Sequence, residues 1–230
     1  MKRPARIPAQ LPVSLHKRLN AYALAATATG VGVLAMARPA AAEIIYTPTH
    51  QVIGPNSNYN LDLNNDGTTD FFIRNTFNCS MTRCRDNLTL GANNGNSFEG
   101  HRYDFRPFAL KRGATIGASR LWSGQSAYMA WALRYASQNL TFTSGGAWAN
   151  VTNRYLGLKF TLGHERHYGW ARLNVKIDSK TAKITATLTG YAYETIPIDK
   201  IIAGKTHGRD DATLGRLAQG ASGVLNGGKP

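Results

Sequence analysis

The sequence predicts an all-β fold, an antiparallel β-sandwich, and three observations carry that expectation. Residues 155–162, 168–176 and 184–194 are strand-length runs rich in β-branched and aromatic side chains. Turn chemistry separates them, Gly163-His164-Glu165-Arg166 in one gap and Asp178-Ser179-Lys180 in the next. In the middle run Ala171, Leu173, Val175 and Ile177 alternate with Trp170, Arg172, Asn174 and Lys176, a period of two that puts one apolar face inward.

The chain opens with a segment that belongs to targeting, not to the fold. Lys2, Arg3, Arg6, Lys17 and Arg18 form a basic head, residues 19–37 an apolar stretch built mainly of Ala, Leu, Val and Gly, and Ala40-Ala41-Ala42 a small-residue cleavage signal. Residues 1–42 are therefore expected to be a signal peptide, cut before Glu43. No twin arginine is present, so export through the general secretory route is expected, with no stable membrane insertion after cleavage.

Residues 43–205 are expected to form one domain, long enough to bury its own core. Residues 43–52, with Ile44, Ile45 and Tyr46, read as a first strand, and Gly54-Pro55-Asn56-Ser57-Asn58 as a turn. Tyr59-Asn60-Leu61 and residues 70–77 read as strands flanking an Asp-rich loop. A Gly/Asn cluster at 93–96 breaks the chain, and residues 102–110 resume with aromatic side chains. Residues 128–135 (YMAWALRY) fit a strand period as well as one helical face, and the surrounding β pattern favours the strand. The last three strands make a meander that needs a second layer to cover it. A jelly-roll closure of the concanavalin-like kind follows. From Thr206 the chain loses all periodicity, so 206–230 is expected to be a flexible tail.

Charge narrows the function classes. The whole chain carries +14, but six of its 27 basic residues lie in the first 42 and all 13 acids lie after them. The remainder carries 21 basic residues against 13 acids, a net +8. Its Lys and Arg are scattered singly, Lys111-Arg112 being the one adjacent pair, without the clustered stripe that nucleic-acid binding uses. Scattered positive charge instead suits weak, salt-sensitive attraction to an acidic polysaccharide or a cell-surface matrix. Cys79 and Cys84, an even count in an exported chain, are expected to form one disulfide around a small loop, contributing about 2 kcal/mol. The alternatives are a zinc half-site, lacking its other two ligands, and a redox pair, which would normally be C-x-x-C. Four N-x-S/T sequons begin at Asn78, Asn87, Asn139 and Asn150, and the bacterial look of the signal makes them by-products of an Asn- and Thr-rich composition.

The most specific motif is Asp62-Leu63-Asn64-Asn65-Asp66-Gly67-Thr68-Thr69-Asp70. Ca²⁺ takes six to eight oxygens at roughly 2.3–2.6 Å, and short carboxylates and amides at loop positions one, three and five can converge on one ion. Asp62, Asn64 and Asp66 supply that set, Thr68 offers its main-chain carbonyl, and Asp70 closes the ring directly or through water. Gly67 marks the sharp turn, where φ > 0 is needed. A metal-free hairpin turn uses the same residue types, yet it accounts for Asn65-Asp66-Gly67 and leaves Asp62 and Asp70 unexplained. An EF-hand is excluded, because position twelve is Ile73 and the flanks read as strand. The loop resembles the calcium loops between strands in FG-GAP repeats of integrin-like propellers, but it occurs once, which argues against a propeller.

Catalytic arrangements are sparse. His164-Glu165-Arg166-His167 has its histidines three apart rather than four, and Gly124-Gln125-Ser126-Ala127-Tyr128 ends in Tyr where a nucleophile elbow needs Gly. Glu99, Asp104, Glu165 and Glu194 are available as carboxylates, with Glu194 the most enzyme-like, but nothing in the sequence pairs them. Among the four tryptophans, Trp148 sits in Ser144-Gly145-Gly146-Ala147-Trp148-Ala149-Asn150, and its polar, glycine-rich neighbours suggest an exposed loop ring that could stack on a sugar.

The strings Tyr168-Gly169-Trp170-Ala171-Arg172-Leu173, Gly190-Tyr191-Ala192-Tyr193-Glu194-Thr195-Ile196-Pro197 and Ile201-Ile202-Ala203-Gly204, together with the Asp62–Asp70 loop, resemble a family of exported bacterial proteins of unknown function. Many of these carry a C-terminal PEP-CTERM sorting signal for exosortase. The resemblance implies a calcium-loop sandwich and supplies no catalytic residues. Residues 211–221 look like the LG-LA-GA stretch of such C-termini, but no Pro-Glu-Pro, apolar run or arginine cluster follows, so periplasm or medium is the expected destination. The expected function is a secreted calcium-binding sandwich of the cell surface, matrix or adhesion type, more a binder than an enzyme. A carbohydrate-active enzyme (glycanase or lyase) on the same scaffold is the alternative, and a purely structural surface protein a third reading.

Overall fold

The computed structural model describes residues 43–101, 104, 106–135 and 141–208. The expected signal peptide lies outside the described residues, as does the expected tail from residue 209 onward.

Thirteen strands form among the described residues, and the alternation of apolar and polar side chains decides which way each one faces. β1 (Ile44–Ile53), β12 (Lys183–Glu194), β11 (Glu165–Asp178), β10 (Val151–Leu162), β5 (Ser97–Glu99) and β7 (Trp122–Ser123) make a six-stranded antiparallel sheet in that order. β2 (Asn58–Leu61), β3 (Phe71–Cys79), β4 (Arg83–Ala92), β8 (Ala127–Tyr135) and β9 (Phe142–Gly145) make a five-stranded one. The two sheets pack as a sandwich. The 128–135 segment is strand, as the surrounding pattern implied. The described part of 102–110, in contrast, contributes only isolated bridges, Gly100 with Pro107 and Leu110 with Tyr155.

One core lies between the sheets. Phe71, Ile73, Leu88, Leu90, Met129 and Ala132 from the five-stranded sheet meet Leu156, Leu158, Phe160, Ala171, Leu173 and Leu188 from the six-stranded one. The inward alternation read at Ala171, Leu173, Val175 and Ile177 holds. Where β1 ends at Ile53, opposite Ala186, the next main-chain groups of β12 have no strand partner on the β1 side, while β11 still pairs on the other. Side chains of the other sheet take the place of β1: Ile184 N–H donates to Asp86 Oδ2 at 2.7 Å, and Asn75 Nδ2 donates to the Ile184 carbonyl at 2.7 Å. Buried main-chain groups require such partners, so two polar residues in an otherwise apolar layer tie the sheets at a fixed register.

A second core covers the far face of the six-stranded sheet. A two-stranded ribbon of β6 (Thr115–Ile116) and β13 (Ile201–Ile202) joins Leu110 and Ala203 over Tyr155, Tyr168 and Trp170. Trp170 is fully buried there and donates its indole N–H to the Lys205 carbonyl at 3.1 Å. Trp170 thus stands on the side of β11 opposite the main core, as the alternation required, yet no solvent reaches it.

The cysteine pair is a disulfide. Cys79 and Cys84 are directly opposed at the end of the β3–β4 hairpin and are bonded, closing the turn at Ser80-Met81-Thr82. It fastens a hairpin tip rather than the core, as the close spacing implied.

Candidate functional site

The Asp-rich loop links β2 to β3 at one end of the sandwich. Asn65 and Gly67 take positive φ, 59° and 86°, so the chain reverses where the glycine was expected to turn it. Asp62 accepts from the main chain at both oxygens, Asp66 N–H to Oδ1 at 3.2 Å and Gly67 N–H to Oδ2 at 2.7 Å. Asp66 accepts from Thr68 N–H at 2.8 Å and from Asn64 Nδ2 at 2.9 Å. The Asn64 amide and the Thr68 N–H hold the Asp66 carboxyl below the ordinary carboxylate range.

Asp70 differs from the other four. It is buried, with Oδ2 accepting from Leu63 N–H at 2.8 Å and Oδ1 from Asn96 Nδ2 at 2.9 Å. Burial pushes its carboxyl up, against the pull of the Leu63 N–H and the Asn96 amide. Asn96 in turn accepts from Thr161 N–H on β10 at 3.1 Å, so the base of the loop is linked to the opposite sheet. Sequence reasoning missed Asn96, because a lone asparagine in a Gly/Asn turn carries no spacing signal.

Asp62, Asn64, Asp66 and Thr68 lie along the open side of the loop, with Asp70 at its base. Asn64 Oδ1 is buried and has no hydrogen-bond donor. An unsatisfied buried acceptor costs about 1–3 kcal/mol, so its place in a loop that also carries Asp62 and Asp66 fits an oxygen-seeking cation. Among the described residues no three His, Cys, Asp or Glu side chains converge as a metal cage, so this donor set depends on the Asn64 amide and the Thr68 carbonyl.

The other expected site residues are dispersed. Trp148 requires a correction: it is fully buried in the main core, and its indole N–H donates to the Pro107 carbonyl at 3.1 Å. The glycines beside it serve close packing, not exposure. Gly146 takes φ 103°, and a Cβ there would run into the main chain of Met129 and Ala130. Trp148 N–H bonds the Met129 carbonyl at 3.2 Å, so the segment folds tightly onto β8 and turns its ring inward.

The four carboxylates occupy separate surroundings. Glu165 is exposed in the β10–β11 hairpin, and exposed Asp104 pairs with Arg106 at 3.2 Å. Glu194 is buried at the end of β12, beside a small cavity lined by Ile44, Asp199, Lys200, Ile201, Ile202 and Lys205. Burial pushes its carboxyl up. Glu99 is fully buried, with Oε1 accepting from Arg120 Nε at 2.8 Å and Oε2 left without a donor. Its carboxyl is also pushed up by burial, with Arg120 opposing. Among the described residues no hydrogen bond or ion pair joins any two of these acids.

No protein-family model, curated protein or solved structure matches this chain.

Proposed function

We propose that this protein is an exported β-sandwich whose β2–β3 loop is clamped by one Ca²⁺ and which acts by binding at a cell surface or extracellular matrix. The observation that carries the calcium reading is the donorless Asn64 Oδ1 inside a loop with oxygen-bearing side chains at alternate positions. Asp62, Asn64 and Asp66 would hold the ion through side chains and Thr68 through its carbonyl, while Asp70 keeps its bonds to Leu63 and Asn96 and anchors the loop. A bound Ca²⁺ would supply the positive charge that offsets the neighbouring carboxylates. Support for export comes from the basic, apolar and small-residue order of residues 1–42 and from a disulfide that suits an oxidising compartment.

Melting the purified protein with and without EDTA, alongside elemental analysis, tests the clamp. A ligand that binds only the folded state stabilises it by about 2.7 kcal/mol at a hundred times its Kd, so chelation should lower Tm and Asp66→Asn should abolish the difference. An unchanged Tm, with no Ca²⁺ retained, overturns the reading.

A further inference from the structure

Among the described residues no segment covers the outward face of the five-stranded sheet, and its composition is unusual. β2, β3, β4, β8 and β9 together contain one acid, Asp86, and that residue points into the core. Arg74, Arg83 and Arg85 stand on the open side, among Asn58, Asn60, Thr76, Asn78, Asn87 and Thr89. The side chains are held in place by one another. Arg74 Nε reaches Asn58 Oδ1 at 3.4 Å, Asn58 Nδ2 donates to Asn60 Oδ1 at 2.6 Å, and Arg85 Nε donates to Asn87 Oδ1 at 3.2 Å.

Two aromatic rings lie flat on this face, each in a gap left by a glycine on the next strand. Phe72 covers Gly91, and its ring is in turn capped by the Arg74 guanidinium, 5.1 Å from the centroid. Trp131 covers Gly145, directly opposite it in the β8–β9 ladder, where a Cβ would sit 2.9 Å from the indole. The Trp131 ring is partly exposed, and among the described residues its N–H has no partner. Tyr128, 51% exposed, stands on the same face. Two clefts lie along this sheet, one lined by Asn78, Ser80, Arg83 and Arg85, the other by residues 56–58 and 74–76.

We propose that this face binds an acidic polysaccharide, a polymer carrying uronate carboxylates, with Trp131 as the stacking platform and Arg74 and Arg85 as the carboxylate partners. The inference rests on the surface-binding reading above and names its face and ligand class. A partly exposed indole offers apolar area with a polar edge, which matches the alternation of C–H and hydroxyl on a sugar ring. Guanidinium forks recognise carboxylates in a bidentate way, and the lack of outward acids on the five described strands leaves the face complementary to negative charge. Arg74 is opposite Thr89, while Arg85 is opposite Asn78, four residues further along β3. That is about 14 Å at 3.4 Å per residue, so an extended polymer can meet both guanidiniums and a monosaccharide cannot. Neutral amides and hydroxyls outnumber the arginines and no lysine is present, which suits sugar hydroxyls better than a phosphate backbone.

Affinity electrophoresis of the mature protein through polygalacturonate or alginate, with dextran and single-stranded oligo(dT) as comparisons, tests this. Retention by the uronates is expected, weakening with salt. Trp131→Ala should weaken it about tenfold, the loss that accompanies removal of one stacked ring, and Arg85→Ala should weaken it while leaving Tm unchanged. Retention that survives both substitutions overturns this face and leaves a surface binder that works elsewhere. Equal retention by oligo(dT) overturns uronate recognition. Failure of the wild type to bind any polysaccharide, with Tm still sensitive to EDTA, overturns the inference and leaves the calcium clamp standing.

Discussion

Trp170 and Trp131 occupy equivalent positions and meet opposite fates. Each sits on an inner strand of its sheet and points away from the main core, Trp170 on β11 and Trp131 on β8. Trp170 is fully buried beneath the β6–β13 ribbon, within a second core that includes Tyr155, Tyr168 and Ile116. Trp131 lies over Gly145 and stays partly in solvent. Among the described residues the sandwich therefore has one face sealed by chain and one left open, and the strands of the open one present no outward acid. A face without cover adds little to stability, so its flat rings and held arginines are available for contacts with something outside the molecule.

The sharpest way to break this comparison is to truncate both rings. Trp170→Ala should cost about 3–5 kcal/mol in denaturant unfolding, because a fully buried indole leaves a cavity and an unbonded Lys205 carbonyl. Trp131→Ala should cost about 1–2 kcal/mol, since only part of its area leaves water on folding. Equal losses would mean the two faces are not different in kind.

Next in size is the disulfide, which fastens the hairpin tip of the open sheet. Replacing Cys79 and Cys84 with serine should remove about 2 kcal/mol, and hydrogen exchange should quicken around the β3–β4 turn while the ribbon over Trp170 keeps its protection. Accelerated exchange at the ribbon would show that the faces are not independent.

Asp86 couples the open sheet to the sealed one, and its effect depends on pH. Burial raises its carboxyl above the ordinary value, with the Ile184 N–H the largest opposing influence. The folded state therefore holds that proton more tightly than the unfolded chain does. Its contribution is complete below the unfolded pKa of about 3.9 and is lost as pH rises through the folded value. Asp86→Asn should flatten that decline and raise stability at neutral pH, read as Tm against pH. A decline unaltered by the substitution would assign it to another buried acid, such as Glu99. The smallest effect is expected at the open face itself, where Arg74→Ala should change stability by less than about 0.5 kcal/mol in urea.

Much of the fold was legible in the residues. The last three strands, the first strand and the Asp-loop flanks fall where β-branched runs and turn residues put them, because local alternation is set by the backbone's period of two. The Gly67 turn and the Cys79–Cys84 pair were equally local. The ribbon was not, since Thr115–Ile116 and Ile201–Ile202 are each too short to show any period and meet only because the chain returns across the sheet. Trp148 misled for a related reason: glycines read as flexible were needed for close approach, which depends on the strand lying beneath them.

The amino-acid order alone thus determined the last three strands, the first strand, the flanks of the oxygen-bearing loop and the hairpin disulfide, all of which depend on residues within a few positions of one another. It also put Trp170 and Ala171 on opposite faces of one strand. Only the tertiary structure decided which of those faces is covered. Cover comes from segments such as the β6–β13 ribbon, remote in sequence from Trp170, and alternation states where a side chain points but not what lies there to meet it.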